Sequence, residues 1–165
     1  MPSFPIYIIR HGLAGQFGDY SDDAQRPLTN PGRLKTTQVA QRLKTLDVQL
    51  DHILTSPYQR AAQTAAILHQ QYPQAQLETL PALQPGGNFT QLLDRLQHHD
   101  RRQSIAIVGH EPDLSHTAER LIWGEIRSRL ILKKTGIIRL EAPITGDLLG
   151  HCELRWLIPA KVLLA

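Results

Sequence analysis

The sequence is short of several things. Cysteine occurs once, at Cys152, so an internal disulfide and a cysteine-rich metal cluster are both excluded. A lone thiol suits a reducing compartment. Aromatic residues make up 5% of the chain, too few to supply the stacking platforms of a single-strand nucleic-acid binder. No hydrophobic run approaches the roughly 18 residues of a membrane span. The apolar stretch after Met1 is shorter than a secretory h-region and has no basic segment before it. A cytoplasmic protein with no membrane association is therefore expected. No HExxH or comparable spacing occurs, so neither a metal nor another cofactor is expected.

Charge of one sign is also scarce. Eighteen Lys and Arg face fifteen Asp and Glu, for a formal net charge of +3. Apart from the pairs Arg101-Arg102 and Lys133-Lys134, acids and bases are interspersed. Nucleic acid is not expected as a partner, since that role would need a concentrated field.

The chain does have enough apolar residues for a core, at 41% of 165. A core of this size buries roughly two thirds of the unfolded surface. A single domain over residues 1–165 is the expectation, and a monomer. Ile6-Tyr7-Ile8-Ile9 reads as a buried strand. Asn30-Pro31 reads as a helix start, with Asn as N-cap and Pro first in the helix. Val39, Ala40, Leu43 and Leu46 follow at helical spacing. His52 to Thr55 is a second strand, and Ser56-Pro57-Tyr58-Gln59 reads as a capping box. The next helix carries Ala61, Ala65, Leu68 and Tyr72. A brief strand is expected over 76–79, and a helix on Phe89, Leu92, Leu93 and Leu96. Ile105 to Gly109 gives the strongest strand signal, followed by a helix on Leu114, Ala118, Leu121 and Ile122. Strands over 136–141 and 152–157 close the chain. Strand alternating with helix implies an α/β domain with a largely parallel sheet covered on both faces.

Ligands of such sheets bind beyond the carboxyl ends of the strands. Arg10-His11-Gly12, Ser56 to Arg60 and His110 all fall there. Guanidinium forks suit phosphate oxygens, and a helix N-terminus adds amide donors. A neutral histidine in that field can attack phosphorus and form a phosphoenzyme. Each piece alone has an ordinary explanation. Capping accounts for Ser56 and Gln59 but does not require Arg60. His69, His98, His99, His116 and His151 read as surface or helix residues.

Together, "RHG", "SPYQRAAQTA" and "GHEP" after successive strands resemble the histidine phosphatase superfamily, also called phosphoglycerate-mutase-like. "RPLTNPGR" and "LPALQPGG" further resemble its SixA subgroup of phosphohistidine phosphatases. The resemblance covers nearly the whole chain and implies a three-layer α/β/α sandwich. It makes His11 the nucleophile, with Arg10, Arg60 and His110 around the phosphoryl group. Gly12 would allow close backbone approach and help orient the His11 ring, and Arg26 would extend the pocket. Two positions depart from the family pattern, for Leu13 and Ala82 stand where acidic residues are common. Glu78, Glu111 and Asp113 are near in sequence, and the last two are expected to cap the following helix.

The expected activity is a metal-independent phosphatase with a phosphohistidine intermediate. Its expected partners are phosphohistidine-bearing phosphorelay or phosphotransfer proteins, or else a small phosphorylated substrate. Alternatives are a small-molecule phosphomonoesterase of the same superfamily and a non-catalytic phosphate-binding module.

Overall fold

The structure, a computed structural model, describes residues 2–165. Six strands form one sheet: β1 (Ser3–Arg10), β2 (His52–Thr55), β3 (Gln76–Thr79), β4 (Ile105–Gly109), β5 (Ile137–Pro143) and β6 (Glu153–Ile158). Their order is β3-β2-β4-β1-β5-β6. The first four are mutually parallel, while β5 and β6 add an antiparallel edge. Five helices cover the sheet: α1 (Asn30–Thr45), α2 (Gln59–Gln71), α3 (Phe89–Gln97), α4 (Asp113–Trp123) and the short α5 (Ala160–Leu163). No helix among the described residues is long and apolar enough to cross a membrane.

Alternation along the strands divides the core in two. Tyr7, Ile9, Ile53, Ala106 and Val108 face one way and pack with Val39 and Leu43 of α1, Ala61, Ala65 and Leu68 of α2, and Ala160 of α5. Ile6, Ile8, Leu54, Ile105 and Ile107 face the other way, onto Leu92 and Leu96 of α3 and Leu114, Ala118 and Leu121 of α4. This is the expected α/β/α sandwich. Burying each such aliphatic side chain stabilises the fold by about 1.5–3 kcal/mol relative to leaving it exposed. The central strands are apolar on both faces for that reason.

Some local expectations shift. The N-cap of α1 is Thr29, whose hydroxyl accepts the Gly32 amide, so Asn30 is already helical. Leu46 lies just past the helix and stays exposed. The helix α5 carries no distinct sequence signal, because four residues hold less than two turns of periodicity.

Candidate active site

The parallel order places three chain segments side by side. Arg10 on β1 stands opposite Gly109 on β4, and the His11 amide donates to the Gly109 carbonyl at 3.1 Å. The Ser56 amide donates to Val108 on the same strand at 3.0 Å. His11, Ser56 and His110 therefore emerge from adjacent strand ends, and α2 and α4 begin just beyond them. The His11 and His110 rings lie 5.2 Å apart, centroid to centroid. Both are buried.

His11 is held in one tautomer. Its Nδ1–H donates to the Gly12 carbonyl at 2.7 Å, since a carbonyl can only accept. Nε2 keeps its lone pair. Burial first, then the charges of Arg60, Arg10 and Lys134, outweigh the Gly12 bond and bring the pKa down to about 4. The ring is neutral at pH 7 and able to act as a nucleophile. Gly12 itself is fixed from two sides. Its amide donates to Thr64 Oγ1 at 3.0 Å, and a Cβ there would sit 2.5 Å from Thr36 Oγ1. The absence of a side chain lets α1 pack against the end of β1.

His110 is anchored by Ser56, which does not cap α2. The N-cap of that helix is Tyr58, with no side-chain cap. Ser56 Oγ instead accepts the Tyr58 amide at 3.1 Å and lies 2.8 Å from His110 Nε2. With that amide accepted, the hydroxyl proton is free to bond to Nε2, which leaves the His110 hydrogen on Nδ1. Burial and the neighbouring His11 and Arg60 bring the His110 pKa down to about 3. The Tyr58 ring packs edge-on against His110, with centroids 5.4 Å apart, and lies under the Arg60 guanidinium.

The arginines are oriented by their distal nitrogens. Arg10 Nη1 donates to the Leu132 carbonyl at 3.0 Å. Arg60 Nη1 and Nη2 donate to the Asp23 carbonyl and carboxylate at 2.9 and 3.1 Å. Asp23 also holds Arg26 Nε at 2.9 Å, and Arg26 Nη1 donates to the Gly15 carbonyl. Arg26 thus joins Arg60 through a shared carboxylate. Arg10 Nε, Arg60 Nε and His110 Nδ1 are buried and have no hydrogen-bond partner among the described residues. Buried donors are normally satisfied, so three orphans around one neutral histidine fit an anion with several oxygens.

Three site residues escaped the sequence reading. Asp23 sits in a polar loop among other acids and carries no motif. Lys134 comes from a distant loop, yet its charge acts on both His11 and Arg10. Ser56 resembles a cap in sequence because Ser-Pro is a common helix start. One further histidine is also corrected: His99 is buried, with Nε2–H donating to the Gln103 carbonyl, and it packs against His52 and Phe4.

Among the described residues, the carboxyl groups of Glu78, Glu111 and Asp113 are each engaged by a guanidinium or an amide, and Glu111 alone of the three acts on Arg10. Ala82 is buried, and Glu78 is paired with Arg95 at 2.9 Å. Glu111 accepts the Ser115 amide within the first turn of α4, and Asp113 accepts the Gly86 amide. Glu111 caps as expected, whereas Asp113 ties α4 to a neighbouring turn.

This chain belongs to the histidine phosphatase superfamily (branch 1), whose family model matches residues 6–89. The matched span includes Arg10, His11, Gly12, Arg26 and Arg60, and His110 lies beyond it. The chain is 36% identical over 163 residues to a protein of unassigned function from Picosynechococcus sp., covering 93% of this chain and 99% of that one. It is 31% identical over 124 residues to the phosphohistidine phosphatase SixA of Escherichia coli, covering 73% and 75% of the two. A structure of the protein histidine phosphatase SixA complexed with tungstate superposes with a TM-score of 0.79 at 26% identity, over 96% of this chain and 98% of that one. Family and fold together support a phosphatase.

Proposed function

We propose that this protein is a phosphohistidine phosphatase that works through a phosphohistidine on His11. One observation carries the reading: a neutral, tautomer-fixed His11 lies among the unpartnered donors Arg10 Nε, Arg60 Nε and His110 Nδ1. In the first step the His11 Nε2 lone pair attacks phosphorus. The bond from phosphorus to the substrate nitrogen breaks, and the leaving imidazole, already protonated from water at its other ring nitrogen, keeps the electron pair and departs neutral. In the second step water attacks the phosphorus, the N–P bond returns its pair to Nε2, and inorganic phosphate leaves. Arg10, Arg60 and His110 stabilise charge on the equatorial oxygens throughout.

The tied carboxylates favour a phosphoramidate over an ester. An alkoxide leaving group gains much from a positioned acid. An imidazole can be protonated on its own ring before it departs. Glu78 and Asp113 are held elsewhere, Glu111 lies within electrostatic reach of Arg10 but is engaged by the Ser115 amide, and Leu13 and Ala82 offer no proton. The similarity to Escherichia coli SixA supports the same substrate class.

The test is a substrate panel with radiolabelled phosphate. The expected outcome is a kcat/KM for phosphohistidine protein at least about 100-fold above that for glycerate or sugar phosphates, a gap of about 2.7 kcal/mol in the barrier. A labelled phosphoenzyme should be trapped with the wild type and lost with His11→Ala. Label persisting in that variant would overturn the nucleophile assignment. The reverse substrate preference would identify a small-molecule phosphomonoesterase instead.

A further inference from the structure

The segment between α4 and β5 is built more firmly than its lack of regular structure suggests. The Glu119 side chain is fully buried, and four consecutive amides point at its carboxylate. Oε2 accepts from Arg127 and Ser128 at 2.6 and 2.7 Å, and Oε1 from Arg129 and Leu130 at 2.6 and 2.8 Å. The other end is fastened to the active site. Arg10 Nη1 donates to the Leu132 carbonyl, and the Thr135 amide donates to the Arg10 and His11 carbonyls at 3.1 and 3.2 Å. A rigid ridge therefore stands beside the pocket.

Its surface has one character. From Ile126 to Thr135 the chain carries Arg127, Arg129, Lys133 and Lys134 and no acid. With +4 in this ridge and +3 overall, the rest of the chain comes to −1. Ile131 is 70% exposed at its centre. Arg127 is paired with Glu125 and stacks on Trp123, while Arg129 and Lys133 are exposed and have no carboxylate partner among the described residues. An exposed apolar centre rimmed by free cations on a preformed backbone has the anatomy of a protein-docking surface. The basic surplus of the sequence is thus concentrated beside the pocket rather than spread over the molecule.

We infer that the ridge 126–135 docks an acidic surface surrounding the phosphohistidine of a protein substrate. This rests on the function proposed above and names the feature that selects the partner. Opposite charge at this position would raise the encounter rate and fix the approach to His11.

The test uses the full chain and two phosphorylated phosphotransfer proteins, one with acidic and one with basic surroundings at its histidine. Free phosphohistidine is the small control. Arg129→Glu with Lys133→Glu is expected to raise KM for the acidic protein about tenfold or more. The control should change less than twofold, and Ile131→Ser should move KM in the same direction. In the wild type, KM for the acidic protein should rise with salt, and the double variant should flatten that dependence. Equal losses on protein and free phosphohistidine would overturn the inference, because the ridge would then be only structural. An unchanged KM for the acidic protein would overturn it too, as would salt-sensitive capture of an oligonucleotide in place of the acidic protein. In those cases hydrolysis of phosphohistidine protein would still stand. If the wild type hydrolysed neither phosphoprotein, the proposed function would fail first.

Discussion

Two loops flank the candidate pocket, and each is organised by one carboxylate. On one side Asp23 gathers side chains, binding the guanidiniums of Arg26 and Arg60 while remaining partly open to water. On the other Glu119 gathers backbone, accepting four amides with no exposure at all. The first arrangement sets where positive charge points. The second sets the path of the chain. Their failures should therefore differ, since a screened ion pair contributes little to stability while a stranded amide costs a full desolvation.

The largest effect is expected at Glu119. Glu119→Gln keeps one acceptor oxygen and replaces the other with an amide that can only donate. At least two N–H groups lose their partner and the remaining bonds lose their charge, which should destabilise the fold by about 3 kcal/mol. For a chain of this length that lowers Tm by roughly 6–12 °C, read by calorimetry. The pH dependence has a definite sign. Burial pushes the Glu119 carboxyl up, but the four amides outweigh it and bring the pKa down to about 2. A depressed folded-state pKa means that the stabilisation is present above the unfolded value of roughly 4.3 and lost as pH falls toward 2. The wild type should lose this contribution across that window, and the variant should not. A Tm within 2 °C of the wild type would erase the contrast between the two loops.

Asp23 should show the opposite profile. Burial raises the pKa of its carboxyl, but hydrogen bonds and charge from Arg26 and Arg60 more than offset this, and the net shift is downward. Asp23→Asn removes the charge and one of the two strong acceptors. Arg60 keeps only its bond to the residue 23 carbonyl as an assured anchor. A loosened clamp is expected to lower kcat about tenfold, about 1.4 kcal/mol of barrier. Inhibition by inorganic phosphate should tighten, because one negative charge leaves the pocket. Stability should change by less than about 1 kcal/mol, as for other partly exposed pairs. Steady-state kinetics with a denaturant curve would check both. A drop in stability as large as that of Glu119→Gln would make Asp23 a fold determinant and collapse the distinction.

The same contrast explains what the sequence made legible. The strands Ile6 to Ile9 and Ile105 to Gly109 announce themselves because burial on both faces demands unbroken β-branched runs. Arg10, His11, Arg60 and His110 are legible as candidates because strand ends in a parallel sheet are where ligands bind, and chemistry-bearing residues there follow directly on the strand signal. Asp23, Ser56, Glu119 and Lys134 were not found. Each acts on partners brought close only by the fold: Asp23 on Arg60 and Ser56 on His110 across tens of residues, Lys134 on His11 across most of the chain. Glu119 reaches only eight to eleven residues ahead, yet it binds backbone amides, which leave no trace in residue type. Ser56 is ambiguous in sequence because hydrogen-bonding capacity marks a cap and a histidine anchor equally well.

The smallest effect expected is a near absence of change, and it concerns the pocket that both loops enclose. An unperturbed histidine, with a pKa near 6.5, would be about 97% protonated at pH 5 and would lose roughly 30-fold in free nucleophile. His11 is buried and faces Arg60, Arg10 and Lys134, which bring its pKa to about 4. His110 is buried beside His11 and Arg60, with its pKa at about 3. Between pH 7.5 and 5 both rings should stay neutral, and the fraction of His11 able to attack should fall by only about a tenth. Heteronuclear NMR of the ligand-free protein reads this directly, since ring nitrogen shifts separate imidazole from imidazolium. The Nδ1–H tautomer of His11 should persist across the same range, because the Gly12 carbonyl requires it. Asp23→Asn removes a charge that favours protonated His110, so its titration should move lower still. Glu119→Gln acts on backbone outside the pocket and should leave both rings where they are. A midpoint near 6.5 for His11 in the wild type would mean that the ring is solvated, and the case for a buried, neutral nucleophile would fail with it.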